Sequence, residues 1–360
     1  MTATLFAPGA RIGILGGGQL GRMIALAASE LGYRCHVYTP EEDSPASHVA
    51  ARTTIGAYED EKALAEFARD VDVVTYEFEN IPHAGVAFLS RHVPVRPKPQ
   101  VLAICQDRIL EKDFLTRIGA ATTRYQEVGD EAALTRAVQA LGLPAVLKTA
   151  RMGYDGKGQA MIRQDTDPAT AWATLNGAQS ILEGFVDFTH EISVIVARGV
   201  DGAHAAYVPV ENRHKHHILD VTIAPARLPA PVLRKAEALA IHIAQQIDLV
   251  GVLAVEMFVT GAGEVLVNEL APRPHNSGHW TIDACITSQF EQLVRAICGL
   301  PLGSPERHSD AEMRNLIGED VHQWRTILDD PGAKLHLYGK AKVRPGRKMG
   351  HVTRLFPRKD

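Results

Sequence analysis

The first hundred residues alternate between short apolar runs and amphipathic helical patterns, and this alternation allows few folds. Apolar runs occupy residues 11–15, 34–38, 53–55 and 71–76, and helical periodicity covers residues 19–31 and 59–69. Strands that alternate with helices predict a parallel sheet covered on both faces, as in Rossmann-like α/β domains. The proline-rich stretch at residues 93–99 interrupts the pattern. We therefore predict a first domain over residues 1–100.

From residue 101 onward the strands follow one another directly. Helical periodicity covers residues 106–118, 130–141, 231–247 and 282–298, and strand patterns cover 191–197, 203–210 and 218–223. Residues 250–259 and 264–270 predict a hairpin around a glycine-containing turn. We predict an α+β domain over residues 101–300, followed by a small β-rich domain of short strands over 301–360.

Composition excludes several classes of protein. The formal net charge of -4 over 360 residues gives no general attraction to nucleic acids or anionic membranes. No apolar run approaches the roughly 20 residues that a membrane span needs, and the N-terminal residues lack the pattern of a secretory signal. The four cysteines are widely scattered, as in reduced proteins. We therefore expect a cytoplasmic protein that binds neither nucleic acid nor membrane.

Two glycine-rich segments could bind phosphate groups. Residues 16–21, Gly-Gly-Gly-Gln-Leu-Gly, fit the dinucleotide motif, but the acidic residue that should end the next strand is missing. NAD binding and a simple tight turn both remain open for this segment. The second segment, residues 152–158, contains Lys157 and follows an apolar strand that ends at Lys148. Its glycines allow close approach to an anion, although a mobile hairpin turn is the alternative.

Two glutamates lie inside apolar strands of the predicted hairpin. Glu256 interrupts the run Val-Leu-Ala-Val-Glu-Met-Phe-Val, and Glu269 follows Asn268 in the partner strand. Burying such groups is costly unless they bind cations, and carboxylate oxygens suit Mg²⁺. Glutamates that simply reach solvent from a strand end are the alternative. We predict that Glu256 and Glu269 bind magnesium.

Three further segments carry polar clusters. Residues 271–279 contain two histidines four apart, but prolines at 272 and 274 disfavour the helix of a zinc site, so we predict a wall that orients the substrate. Residues 214–217, His-Lys-His-His, predict a solvated turn with one functional histidine. Five cations between residues 340 and 348 predict a pocket for a phosphate-bearing substrate, with RNA binding as the alternative.

These motifs, in this order, resemble the ATP-grasp superfamily and, within it, the 5-(carboxyamino)imidazole ribonucleotide synthase family of de novo purine biosynthesis. The resemblance covers essentially the whole chain. It is carried by residues 16–23, 75–80, 106–108, 153–159, 268–279 and 346–351. It implies an ATP-grasp fold with a lid subdomain at about 120–185, and a homodimer that uses ATP and Mg²⁺.

The resemblance also implies roles for individual residues. ATP phosphates would be contacted by Arg108, Lys148 and the loop Gly153, Tyr154, Asp155, Gly156, Lys157, Gly158 and Gln159. Adenine and ribose would be contacted by Glu183, Gly184, Phe185, Val186, Glu191 and His214, and Mg²⁺ by Glu256 and Glu269 assisted by Asn268. The acceptor site would be lined by Tyr154, Asp155, Arg273, His275, Asn276 and Glu77, with Lys340 and Arg347 on the ribonucleotide phosphate.

The implied reaction is carboxylation of the exocyclic amine of 5-aminoimidazole ribonucleotide by bicarbonate and ATP, through carboxyphosphate. Another ATP-grasp ligase or transferase of purine metabolism, an NAD-dependent oxidoreductase and an inactive nucleotide sensor are the alternatives. One departure from the family pattern, Lys215-His216-His217, leaves the shape of the turn after His214 open.

Overall fold

A computed structural model describes residues 4–153 and 156–359. The N-terminal part is a parallel four-stranded sheet in the order β3-β2-β1-β4. Its strands are β1 (Arg11–Leu15), β2 (Arg34–Thr39), β3 (Arg52–Ile55) and β4 (Val73–Tyr76), and its helices are α1 (Gln19–Glu30), α2 (Glu61–Ala68) and α3 (His83–Leu89). Apolar residues of β1 face both α1 and α2, which confirms the predicted parallel sheet with two covered faces.

The structure has two helices between residues 99 and 117, and the second of them is the helix predicted over residues 106–118. They are α4 (Pro99–Cys105) and α5 (Arg108–Arg117). The Asp107 carboxylate accepts hydrogen bonds from the backbone amides of Ile109 and Leu110, at 3.0 and 3.3 Å, and so caps α5. The predicted helix is confirmed, with its start fixed by this cap residue, and this start directs Arg108 toward the middle of the molecule.

A second, smaller sheet lies between residues 125 and 184. Its antiparallel strands have the order β5-β8-β6-β7. The elements are β5 (Tyr125–Val128), α6 (Glu131–Leu141), β6 (Ala145–Thr149), β7 (Gln159–Ile162), α7 (Pro168–Thr174) and β8 (Ser180–Gly184). Both helices pack on one face around Leu134, Leu147 and Leu182, so the other face is available to a ligand.

The largest sheet is antiparallel and, within the described ranges, contains nine strands. Its central strand β9 alternates strictly: Val194 and Val196 pack toward one layer of helices, Ile195 and Ala197 toward the other. The elements up to residue 298 are β9 (Phe188–Arg198), β10 (His204–Ala206), β11 (Val210–Lys215), β12 (Ile218–Ala224), α8 (Ala230–Gln246), β13 (Gly251–Thr260), β14 (Val265–Ala271), α9 (Thr281–Ala284) and α10 (Gln289–Cys298).

Two predicted elements of this region are divided. The strand predicted over 203–210 contains β10 and the first residue of β11, with a gap between them, and the helix predicted over 282–298 is split into α9 and α10. The Ser288 hydroxyl caps α10 by accepting from the Glu291 amide. A cap residue again fixes where a helix begins. The predicted hairpin of β13 and β14 is confirmed.

The C-terminal strands are longer than predicted and continue the same sheet. They are β15 (Ser309–Ile317), β16 (Ala333–Leu337) and β17 (Lys348–Pro357), with the short helix α11 (Trp324–Leu328). Strand β15 pairs with β12, so the sheet order is β14-β13-β9-β11-β12-β15-β17-β16. Among the described helices, none is both long enough and apolar enough to cross a membrane.

Candidate active site

A cavity of about 800 Å³ opens where the three sheets meet. Its lining includes most residues that the sequence predicted for a site: Glu77, Arg108, Lys148, Gly153, Gly156, Lys157, Gln159, Glu183, Gly184, Phe185, Val186, Glu191, His214, Glu256, Asn268, Glu269, Arg273, His275 and Asn276. Gly158, Lys340 and Arg347 do not line it. Tyr154 and Asp155 lie outside the described residues.

The two strand glutamates face each other across the β13–β14 hairpin. Glu256 and Glu269 are direct partners in the register, and a bulge follows Glu256. His275 Nε2 lies 2.9 Å from Glu256 Oε1, and Arg108 Nη1 lies 2.9 Å from Glu269 Oε2. Burial by itself would raise the pKa of Glu256, but His275, together with His214 and Lys348, outweighs burial and holds that pKa at about 2. Glu256 is therefore anionic, and each of the two acids has a basic side chain beside it.

The same hairpin fits a hard divalent cation. The side-chain carbonyl oxygen of Asn268, next to Glu269, is buried and has no hydrogen-bond partner among the described residues. Two facing carboxylates and a free amide oxygen form an all-oxygen donor set, which Mg²⁺ prefers. These residues could therefore hold Mg²⁺ beside a phosphate group.

A buried network of charges supports the nucleotide side of the cavity. Lys148 Nζ donates to Glu183 Oε2 at 2.6 Å, and Lys112 Nζ lies 3.6 Å from the other carboxylate oxygen. Burial would raise the pKa of Glu183, but Lys148 and Lys112 together hold it at about 2. The chain therefore balances the charge of Glu183 with two ammonium groups.

Lys112 is not among the site residues predicted from the sequence. It is fully buried, and its ammonium donates to Thr122 Oγ1 and to the Asn268 carbonyl, both at 2.8 Å, and to the Val267 carbonyl at 3.3 Å. A signal existed, because helical spacing puts Lys112 on the apolar stripe of Ile109 and Leu115. A cation on such a stripe indicates a buried partner.

The first glycine turn binds a carboxylate of the chain itself. The amides of Gly18 and Gly21 both donate to Glu77, the latter at 2.8 Å. A Cβ atom on Gly18 would lie 2.5 Å from Glu77 Oε1, and Gly16 adopts a φ of 110° against the same side chain. Glu77 thus occupies the position of a dinucleotide pyrophosphate. This geometry removes the basis of the NAD hypothesis and explains the glycines.

The predicted wall at residues 271–279 is held by side chains of other segments. Arg273 forms a two-pronged ion pair with Glu79, its Nη2 lying 2.9 Å from Glu79 Oε1. Asn276 and Asn315 exchange hydrogen bonds through their side-chain amides. Glu79 and Asn315 were not predicted, although Glu79 belongs to the acidic motif at residues 75–80. These contacts fix the directions of the loop side chains.

The turn that departs from the family pattern packs against the second glycine loop. His216 and His217 adopt left-handed φ values of 52° and 64° between β11 and β12. A Cβ atom on Gly156 would lie 2.6 Å from His217, so the two loops are in close contact. His214, on the preceding strand, lies 2.6 Å from Glu191, which outweighs burial and raises the pKa of the histidine.

The basic C-terminal segment borders the cavity through Lys348. Lys340 donates to the Lys348 carbonyl at 2.6 Å, and Arg347 donates to the Lys342 carbonyl at 2.7 Å. Burial, with Arg347 nearby, lowers the pKa of Lys340 to about 8. Lys340 is thus hydrogen-bonded to the backbone of the lining residue Lys348, and Arg347 precedes that residue in the chain.

Family comparisons cover three consecutive parts of the chain. Residues 10–106 match the ribonucleotide synthetase preATP-grasp domain, residues 113–290 the ATP-grasp domain, and residues 311–360 the phosphoribosylaminoimidazole carboxylase C-terminal domain. The first match covers the parallel sheet, the second covers the small sheet and strands β9 to β14 of the largest sheet, and the third covers β16, β17 and most of β15 of that same sheet.

Two relatives that match along nearly their full length are N5-carboxyaminoimidazole ribonucleotide synthases. The N5-carboxyaminoimidazole ribonucleotide synthases of Brucella melitensis and Bacillus subtilis are 48% and 45% identical, over 99% and 98% of this chain and 99% and 93% of their own. A bifunctional purine synthesis protein of Dictyostelium discoideum is 48% identical over 98% of this chain, which spans 38% of that longer protein.

Solved structures of N5-carboxyaminoimidazole ribonucleotide synthases match nearly the whole chain. An ADP complex of an N5-carboxyaminoimidazole ribonucleotide synthetase is 46% identical, with a TM-score of 0.95 over 99% of this chain and 94% of that one. A synthase from Aspergillus clavatus in complex with ADP and 5-aminoimidazole ribonucleotide is 31% identical, with a TM-score of 0.92 over 97% and 94% of the two chains. The chain belongs to the N5-carboxyaminoimidazole ribonucleotide synthase family of ATP-grasp enzymes.

Proposed function

We propose that this protein uses ATP and bicarbonate to carboxylate the exocyclic amine of 5-aminoimidazole ribonucleotide, a ligase reaction of purine biosynthesis. The observation that carries the proposal is a shared cavity. Facing acids and cations suited to a metal-bound triphosphate lie in the same 800 Å³ space as the Arg273–Asn276 wall. The Aspergillus clavatus relative holds ADP and 5-aminoimidazole ribonucleotide together. Activation of bicarbonate by ATP and carboxylation of the acceptor amine would therefore take place in the same cavity.

Glu256 and Glu269, assisted by Asn268, would hold Mg²⁺, which when bound neutralises part of the triphosphate charge and favours attack on phosphorus. Arg108 and Lys148 would contact the same phosphates. A bicarbonate oxygen attacks the γ-phosphorus, the bond to the β-phosphate oxygen breaks, and ADP leaves. The product of this step is carboxyphosphate.

The amine nitrogen then attacks the carboxyl carbon of carboxyphosphate, or the CO₂ that carboxyphosphate releases. The carbon–oxygen bond to phosphate breaks, phosphate leaves, and the amine loses a proton. Arg273, His275 and Asn276 would orient the acceptor, with Glu77 on the side of the glycine turn. Because water destroys carboxyphosphate, closure of the glycine loop with Tyr154 and Asp155 would protect it.

The remaining binding roles follow the same division of the cavity. Adenine would contact the segment at the end of β8: Glu183, Gly184, Phe185 and Val186. The ribose would contact Glu191, with His214 beside it. The glycine loop, Gly153 and Gly156 to Gln159 with Lys157 and Gly158, would cover the phosphates. The ribonucleotide phosphate would be held by Lys340 and Arg347.

We also propose a cytoplasmic homodimer. The dimer rests on the resemblance to the synthase family and the location on the scattered cysteines, and the small excess of acidic over basic residues fits the absence of a nucleic-acid partner. Sedimentation velocity tests the dimer, because a monomer at micromolar concentration contradicts it.

The test of the reaction is ADP release with bicarbonate, measured with and without 5-aminoimidazole ribonucleotide and with and without Mg²⁺. We expect stimulation only when all components are present. The variant Glu269→Gln keeps the shape of the side chain and should lose turnover while its thermal unfolding stays near that of the wild type. No stimulation by the ribonucleotide, or an active Glu269→Gln enzyme, refutes the proposal.

A further inference from the structure

Three potential metal ligands lie together outside the active-site cavity, at the C-terminal edge of the large sheet. His336 on β16 and His351 on β17 are direct partners in the register, and their rings stack at 4.6 Å. Asp283 of α9 reaches them from the neighbouring layer, its Oδ2 lying 2.8 Å from His336 Nε2. One ligand atom from each residue lies within 4.8 Å of the others.

A buried nitrogen in this cluster lacks a partner. His351 is fully buried, and its Nε2 has no hydrogen-bond partner among the described residues. Leaving such an atom unsatisfied is destabilising. A free lone pair at this position is available to a cation.

The surroundings of His351 favour the form that binds metals. Its Nδ1 lies 2.9 Å from the Tyr338 hydroxyl. When Nδ1 carries the ring proton and donates it to Tyr338, Nε2 presents its lone pair, the arrangement usual for metal-bound histidine.

We propose that Asp283, His336 and His351 bind a Zn²⁺ ion. Two imidazoles and one carboxylate are a common zinc donor set, whereas Mg²⁺ prefers oxygen ligands. The side chains of His336 and Asp283 are 29% and 11% exposed, which gives the ion a path from solvent. The ion takes the place of the proton that His336 and Asp283 share.

The site links elements that are distant in the chain. Asp283 follows the loop that carries Arg273 and His275, whereas both histidines belong to the last two strands. A bound ion therefore fastens the acceptor loop's helix to the C-terminal edge of the sheet. We expect the ion to raise thermal stability, because it binds the folded chain and finds no such site in the unfolded one.

The test uses tag-free, chelator-treated protein in excess Mg²⁺, which occupies sites built from oxygen ligands. Titration with Co²⁺, a spectroscopic substitute for Zn²⁺, should give visible absorption bands of a tetrahedral site, and Zn²⁺ should abolish them at one equivalent. Calorimetry measures Zn²⁺ affinity directly. The variants His336→Asn and Asp283→Asn change partly exposed residues, so the fully buried His351 stays in place.

We expect each variant to weaken Zn²⁺ binding by at least about 100-fold, the upper range seen when groups around a metal site are removed, and to lose the zinc-dependent rise in melting temperature. His322→Asn is the matched control, because His322 also pairs with a carboxylate, at 3.3 Å, but on the exposed surface. Wild-type protein without tight Zn²⁺ binding overturns the proposal. Wild-type affinity in His336→Asn and Asp283→Asn also overturns it, since the ion then binds elsewhere.

Discussion

Replacing Lys112 with methionine tests whether a buried ammonium organises the nucleotide side of the cavity. Methionine fills a similar volume without charge. The change removes three hydrogen bonds, to Thr122 Oγ1 and to the Val267 and Asn268 carbonyls. It also removes one of the two ammonium groups near Glu183. We expect lower stability and weaker ATP binding.

The size of the expected loss of stability depends on which neighbours of Lys112 keep another hydrogen-bond or ion-pair partner. Val267 keeps a hydrogen bond from Thr122 at 2.8 Å, and Glu183 keeps Lys148 at 2.6 Å. The Asn268 carbonyl loses this donor, and one buried oxygen of Glu183 loses its ion pair with Lys112, each at about 1–3 kcal/mol. The ammonium no longer has to be desolvated, which offsets part of this cost. The expected net loss is about 2–4 kcal/mol.

Urea unfolding at constant slope gives the free energy of unfolding, and steady-state kinetics give the KM for ATP. Lys98→Met is the matched control, because Lys98 pairs with Asp248 on the surface and should cost about 1 kcal/mol or less. A Lys112→Met loss below about 1 kcal/mol, with an unchanged KM for ATP, would show that the contacts of the ammonium do not exceed its burial cost.

Three further variants or conditions test other parts of the site. Gly18→Ala should cost about 1–3 kcal/mol of stability in urea unfolding, because its Cβ atom would lie 2.5 Å from Glu77, whereas Gly129→Ala meets nothing within 4 Å and should cost less. Because Lys340 is cationic only below its pKa of about 8, kcat/KM for the ribonucleotide should fall as pH rises through that value, and a flat profile contradicts its phosphate role. Glu79→Gln loosens the arginine of the acceptor loop and should lower kcat/KM for the ribonucleotide at least about tenfold without changing the KM for ATP; equal changes in both would contradict this role.

The features that could be predicted from the sequence are those that a short stretch of the chain reveals, such as a charged residue inside an apolar strand. Glu256 is a charge inside an apolar strand, so its cost can be recognised from a few neighbouring residues. The strand–helix alternation of the first domain is likewise a local periodicity. The break at Ser288 was also local, since serine is a good cap residue, but the helical periodicity on either side concealed it.

The features that were missed depend on contacts between distant segments. Glu77 fills the glycine turn from 59 positions away, and only the folded sheet brings β1 and β4 side by side. Before the fold is known, glycines that accommodate an internal carboxylate resemble glycines that accommodate a cofactor. The pairing of β12 with β15 also joins segments nearly a hundred residues apart, and no turn between them indicates it.

The pairing of β12 with β15 has a consequence for modular engineering. A chain ended near residue 300 would leave one side of β12 as an open row of amides and carbonyls, the kind of edge that promotes aggregation. Strands β15 to β17 therefore protect the edge of β12 from solvent. They cannot be replaced as an independent domain. A fusion partner placed after β17 respects this arrangement, whereas one inserted between β12 and β15 must keep both strands in register.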